Sequence, residues 1–281
     1  KGREWNMQTA RNTTGTIPCL PDRLKKTFAM KRILLLGAVL FVMFRISAQP
    51  KVIAHRGYWT THESAQNSLA SFAKAREAGC FGSEFDVWFT GDGDLIVNHN
   101  RVDKNTGLNM EKAAASEITS IVLANGETVS TLDAYLSMAA RTPGIHLILE
   151  MKSLSDYRRE DMAAEGIVGL LCKYDLLDRT DIIAFSLNAC FAFRKLLPEG
   201  RIFYLDGDLP PDKVKQFGFT GMDYSMKALR RNPQWVEEAH TLGLEVNVWT
   251  VNKDEDMDFF IELGVDYITT DYPEKLQAKI N

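Results

Sequence analysis

Cysteine is scarce in this sequence and never closely spaced. Its four copies, Cys19, Cys80, Cys172 and Cys190, form no C-x-x-C pair, so spacing supports neither a zinc site nor a disulfide framework. All four are read as small buried apolar residues. An excess of positive charge is missing too. Lys and Arg number 33 against 37 Asp and Glu, for a formal net charge of -4, and a nucleic-acid partner would call for a basic patch. No run of like charges marks a solvating tail. The G-x-S-x-G elbow, the P-loop and the Rossmann fingerprint are all absent. No apolar stretch reaches the ~20 residues that a membrane-spanning helix needs.

The longest apolar run, Ile33 to Phe44, follows Met30-Lys31-Arg32 and precedes Ile46-Ser47-Ala48. A positive segment, a short apolar segment and small residues form the order of a secretory signal peptide. Residues 30–48 are therefore expected to be removed, with Gln49 first in an exported, periplasmic or secreted protein that keeps no stable membrane insertion. An uncleaved anchor is the alternative. Residues 1–29 are polar and aperiodic and are read as an upstream extension outside the fold. Residues 49–281 show no internal repeat or linker and are read as one domain.

From Lys51 onward, short apolar runs alternate with amphipathic stretches. Strands are expected at Val52–His55, Phe81–Val87, His146–Glu150, Asp181–Phe185, Ile202–Leu205, Gly221–Tyr224, Glu245–Trp249 and Tyr267–Thr270. Helices are expected between them: one capped by Ser68 and closed by Gly79, one behind Thr131, one opened by Pro233 and one by Pro273. Eight strand–helix units predict an α/β TIM (β/α)8 barrel, which typically takes ~250 residues; a doubly wound open sheet is the rival. Leu95–His99, after the Gly91-Asp92-Gly93-Asp94 turn, reads as the returning arm of a short β-hairpin inserted after strand two. A calcium loop at Asp92 is excluded by Leu95 and the lack of a distal Glu.

Chemistry in such a barrel collects where strands end. Strand one ends in His55-Arg56-Gly57. Strand two carries Glu84 and Asp86, two residues apart and so on one face. The hairpin arm ends in His99, and strand three in Glu150-Met151-Lys152. Three carboxylates on one rim repel unless a cation offsets them, and an all-oxygen set suits Ca²⁺ or Mg²⁺ better than zinc. His55 and His99 suit proton transfer near neutral pH. Arg56 and Lys152 offer positive charge for a phosphate, or pair with the nearby acids. His62, His146 and His240 receive no role.

These residues resemble the glycerophosphodiester phosphodiesterase family. The resemblance runs through Ala54-His55-Arg56-Gly57, Gln66-Asn67-Ser68, Ser83-Glu84-Phe85-Asp86-Val87, Thr90 and Val97-Asn98-His99. It continues through Leu149-Glu150-Met151-Lys152, Val248-Trp249-Thr250-Val251-Asn252 and Ile268-Thr269-Thr270-Asp271-Tyr272-Pro273, and so spans roughly Val52 to Pro273. It implies a TIM barrel that hydrolyses glycerophosphodiesters to sn-glycerol 3-phosphate and an alcohol. Glu84, Asp86 and Glu150 would hold one divalent cation. His55 and His99 would be the acid–base pair, while Arg56, Lys152 and Trp249 would bind the substrate. Gln66 stands where the family usually has Glu, and Asn100 where it usually has Asp. The loop Tyr58 to Ala65 is slightly longer than usual. A related barrel phospholipase, of the phosphatidylinositol or sphingomyelinase D kind, and a non-catalytic phosphodiester-binding barrel are the alternatives. The polar, Ala-rich segment from Arg101 to Ser130 favours soluble small-molecule substrates over lipids.

Overall fold

The computed structural model describes residues 49–281. The expected signal peptide and upstream extension lie outside them. Within them run ten strands: β1 (Lys51–Ala54), β2 (Gly82–Phe89), β3 (Leu95–Val97), β4 (Ser130–Thr131), β5 (His146–Met151), β6 (Thr180–Ala184), β7 (Arg201–Tyr204), β8 (Gly221–Ser225), β9 (Glu245–Trp249) and β10 (Tyr267–Thr270). The helices are α1 (Leu69–Glu77), α2 (Ala115–Ile118), α3 (Leu132–Arg141), α4 (Tyr157–Lys173), α5 (Leu187–Leu196), α6 (Pro211–Gln216), α7 (Met226–Arg231), α8 (Trp235–Thr241), α9 (Asp254–Leu263) and α10 (Pro273–Ile280).

Eight of the strands are parallel and hydrogen-bond in the circular order β1-β2-β5-β6-β7-β8-β9-β10, with β10 returning to β1. This is the closed TIM barrel, and all eight expected strands are present in it. β3 and β4 are appended as an antiparallel pair on β2. The hairpin arm is shorter than expected. It ends at Val97 because Asn98 N–H makes the last link, to the Asp86 carbonyl at 3.0 Å, before the chain turns away. β4, two residues long, is too brief to show a period-two pattern in the sequence.

Local chemistry accounts for the helix starts. The Ser68 hydroxyl accepts from Ser71 N–H at the head of α1, and Thr131 from Ala134 N–H at the head of α3. Pro273 occupies the first turn of α10, where its missing N–H costs nothing.

The barrel centre is filled by Ile53, Ile148, Ile183, Phe203, Leu205 and Tyr267. Below it, towards the strand N-termini, polar groups close the end. Asp181 accepts from His146 Nε2 at 2.8 Å and Arg201 Nε at 2.7 Å, and Arg201 Nη2 reaches Glu245 at 2.8 Å. Above it, strand alternation fixes what faces the opposite mouth. Ile148 points inward, so Glu150 two residues on points the same way, and the register pairs Glu150 with Asp86. Cys80 and Cys190 are buried free thiols, as expected, while Cys19 lies outside the described residues. Cys172 departs from the expectation in being only partly buried, on the outer helix α4. No helix of the described residues is long and apolar enough to cross a membrane.

Candidate active site

Glu84 and Asp86 rise from β2 and Glu150 from β5, each buried, and each offers an oxygen within 4.8 Å of the others. Their environments differ sharply. Glu84 Oε2 accepts from Arg56 N–H at 2.7 Å, but Oε1 is buried with no partner. Burial, then the charges of Asp86 and Glu150, hold its pKa well above the usual carboxylate range. Burial beside Asp86 likewise lifts Glu150, to about 7. Burial would raise Asp86 as well, but Lys152 and His99 overcome it and keep this carboxylate ionised. Three acids that cannot all comfortably ionise, one with an orphaned oxygen, have the chemistry of a hard-cation site.

Of the two cationic side chains, Lys152 is in hydrogen-bond contact with the acids and Arg56 stands beside them. Lys152 Nζ lies 2.5 Å from Asp86 Oδ1 and 2.6 Å from Glu150 Oε1. Arg56 donates through Nη1 to Gln66 Oε1 at 2.8 Å, and its Nε stands 3.8 Å from Asp86. The neutral Gln66 thus sets an amide oxygen against the guanidinium. Arg56 itself is at φ +56°, a left-handed conformation that non-glycine residues rarely hold. Gly57 follows at φ +75°, where an added Cβ would fall 2.3 Å from Ser71 Oγ. The turn is therefore restricted to glycine by both conformation and space.

The two histidines flank this cluster. His99 Nδ1 stands 3.1 Å from Asp86 Oδ1, and Nε2 lies 2.9 Å from Arg56 Nη2. Arginine can only donate, so Nε2 is assigned the lone pair. Nδ1 gives its proton to the Asp86 carboxylate, with the Lys152 ammonium 3.2 Å away as a charge neighbour and not a donor to it. Burial, partly countered by Asp86, lowers the pKa of this ring. His55 Nδ1 lies 2.8 Å from Asp271 Oδ1. Asp271 also accepts from Trp59 Nε1 at 2.9 Å and Asn252 Nδ2 at 2.7 Å. Burial would raise this carboxyl, but the His55, Asn252 and Trp59 hydrogen bonds hold it below the usual range. An ionised Asp271 assigns the proton to Nδ1 of His55 and leaves Nε2 for proton exchange.

Trp249 ends β9, but its indole N–H goes to the Asp223 carbonyl at 2.8 Å, and its ring meets Phe185 edge-on at 5.7 Å. Its contacts are thus to β8 and to Phe185. The three histidines without a role are elsewhere. His146 meets Asp181, His240 meets Asp266, and His62 is exposed beside Glu63.

Sequence reasoning assigned nothing to Asp271, Asn252 or Asn67. Asn67, at φ +60°, clamps Asp86 at both ends: its Nδ2 donates to Oδ2 at 2.8 Å and its Oδ1 accepts from Asp86 N–H at 3.1 Å. The sign for Asp271 was there, since it stands one residue past β10 as His55 stands one residue past β1.

Known proteins share this arrangement of strands. The barrel resembles the crystal structure of a glycerophosphodiester phosphodiesterase from Parabacteroides distasonis with a TM-score of 0.81 and 42% identity, over 83% of this chain and 98% of that one. An Oleispira antarctica phosphodiesterase solved with the product sn-glycerol 3-phosphate shares the fold at 24% identity and TM-score 0.71, over 83% of this chain and 97% of that one. In sequence, a glycerophosphodiester phosphodiesterase of Caldanaerobacter subterraneus is 29% identical over 245 residues, 80% of this chain and 95% of its own. The glycerophosphoryl diester phosphodiesterase family matches residues 55–275, a span that begins at the first histidine of the site and takes in all three carboxylates. By that match, and by the barrel that carries it, this chain belongs to the glycerophosphoryl diester phosphodiesterase family.

Proposed function

We propose that this protein hydrolyses glycerophosphodiesters to sn-glycerol 3-phosphate and an alcohol, with a divalent cation held by Glu84, Asp86 and Glu150 and with His55 and His99 moving the protons. The observation that carries the reading is the buried, unpartnered Oε1 of Glu84 among three crowded carboxylates. A Ca²⁺ or Mg²⁺ ion in that set would neutralise the acids and polarise a phosphoryl oxygen.

The chain's own groups supply the rest. Arg56 and Lys152 add positive charge beside the acids, where the phosphoryl oxygens gain charge during reaction. One histidine takes the proton of the glycerol hydroxyl next to the phosphate, and that oxygen bonds to phosphorus. The other histidine gives a proton to the alcohol oxygen as its bond to phosphorus breaks. Water then adds to the cyclic phosphate, the ring bond opens, and the histidines exchange roles. Asp271 serves by holding His55 with Nε2 free. The Phe185–Trp249 side of the mouth offers apolar surface to the departing alcohol.

The test is release of glycerol 3-phosphate from glycerophosphocholine and glycerophosphoethanolamine, with EDTA and then with Ca²⁺ or Mg²⁺ added back. Loss on chelation and recovery with one ion supports the reading and names the cation. No turnover with either ion redirects the search to lipid phosphodiesters. Export is proposed from residues 30–48 alone. Cell fractionation with N-terminal sequencing tests it, and a protein retained in the cytoplasm with that segment intact refutes it.

A further inference from the structure

Between β3 and α3 runs an insertion that places no side chain in the acid–histidine cluster after His99, yet ties together the two segments that bear His99 and Lys152. We propose that Glu111, in the middle of this insertion, is a positioning residue that sets the separation of His99 from Lys152. The inference rests on the reading that those two residues act in the reaction.

His99 leaves the sheet just after β3 and hangs from a short arm. Its carbonyl accepts from Trp88 Nε1 at 3.3 Å. Two residues on, the Arg101 guanidinium lies 5.0 Å over the Trp88 ring. Its Nη1 donates to Glu111 Oε2 at 2.8 Å and its Nη2 to the Ser153 carbonyl at 2.9 Å. Ser153 directly follows Lys152. The second oxygen of Glu111 accepts from Ser155 N–H at 2.8 Å and from Ser155 Oγ at 2.5 Å. One buried carboxylate, 6% exposed, thus holds the chain two residues beyond His99 and three residues beyond Lys152. The span it fixes is the 3.2 Å between Lys152 Nζ and His99 Nδ1.

The shape of this carboxylate's surroundings argues against simple surface pairing. Both oxygens are occupied, by donors from different segments. Burial alone would raise its pKa, and the Ser155 bonds, with Arg101 behind them, lower it instead. Arg159 of α4 completes the clamp, donating to the Thr90 carbonyl at 2.6 Å and reaching the Glu111 carbonyl at 3.4 Å. A displacement of about 1 Å in a reacting group can cost about a hundredfold in rate, so a clamp on the arm carrying His99 has a kinetic role to play.

The experiment compares wild type, Glu111→Gln and Glu111→Ala as full chains, each alone and combined with His99→Ala. Glu111→Gln keeps one carbonyl oxygen but turns an NH₂ group against Arg101 or Ser155. We expect kcat to fall about tenfold in Glu111→Gln and up to about a hundredfold in Glu111→Ala, with KM changed less than about threefold. In the His99→Ala background the same changes are expected to cost little, because a residue acting through His99 has nothing left to position. Wild-type kcat in both variants, or an equal loss with and without His99, overturns the proposal. Should Glu111→Ala not fold, Arg101→Gln removes the same bridge from its half-exposed end and is expected to behave as Glu111→Gln does. The imidazole resonances of His99 supply a readout independent of substrate and are expected to shift in Glu111→Gln. If wild type turns over no glycerophosphodiester, the functional reading fails by itself, and unshifted His99 resonances then overturn the clamp separately.

Discussion

Asp271 is a heavily engaged carboxylate beside a site histidine. It takes three donors at 2.7 to 2.9 Å, from His55, Trp59 and Asn252. Asp271→Asn places an amide against the imidazole, which can select the wrong tautomer. We expect kcat to fall about a hundredfold or more with the fold intact, as steady-state kinetics beside circular dichroism would show. Unchanged kcat removes the orienting role. Asn67 is the matching case on the acid side. Asn67→Ala frees Asp86 from its two-point clamp, and divalent-ion affinity should drop about ten- to a hundredfold by calorimetric titration. An affinity equal to that of wild type would mean that Asp86 is held by Lys152 and His99 alone.

The residues that the sequence singled out are those whose position on a strand end already implies convergence. Glu84, Asp86, Glu150, His99 and Lys152 meet in one cluster, and His55 stands next to Arg56 at the end of β1 with its ring on Asp271. The partners that orient them were not legible in the same way. Asn67, Asn252 and Trp59 lie in loops, where no periodicity fixes a direction. Trp249 ends β9, and only the packing shows that its N–H is committed to Asp223 and its ring to Phe185.

At the scale of elements, the turn leaving β1 is the most constrained piece of the site. It aims the Arg56 N–H at Glu84 Oε2 and the Gly57 N–H at the Glu84 carbonyl, 3.0 Å away. Gly57→Ala would strain a left-handed residue and drive a methyl group into Ser71. A loss of about 1–3 kcal/mol in stability is expected by chemical denaturation. A weakened grip on divalent cations should accompany it. Stability equal to wild type would show that the turn can relax without strain. The helix starts at Ser68, Thr131 and Pro273 follow from cap chemistry that sequence carries locally. β4 and the Glu111 clamp do not, because each depends on segments brought together only by the hairpin.

Across the whole molecule, the barrel stacks a charged floor, an apolar middle and a charged mouth, and Asp223 is a buried carboxyl within it, close enough to feel the charge of Asp181. It is buried on β8, accepts from Asn247 Nδ2 at 2.9 Å, and is pushed up to about 7 by that burial. Its ordinary pKa in an unfolded chain is 3.8. Between those values the folded protein binds the extra proton, so this group makes stability fall as pH rises from about 4 to about 7. Above that window its cost is complete and constant. Asp223→Asn should remove the decline, at about 1.4 kcal/mol per pH unit, and urea unfolding at pH 5, 6 and 8 would measure it. The same slope in the variant would assign the decline to other groups.

The sequence alone determined the alternation of eight strands and helices, the caps, and the strand-end carboxylates and histidines. These are properties of neighbours along the chain: side-chain period, turn chemistry and strand termini. Only the tertiary structure decided that Lys152 lies between Asp86 and Glu150, that Asp271 faces His55 across the closure from β10 to β1, and that Glu111 bridges two loops. Apart from the local Lys152–Glu150 pair, those contacts join residues from ten to more than two hundred positions apart. Their geometry follows from barrel register and loop packing, which no local pattern encodes.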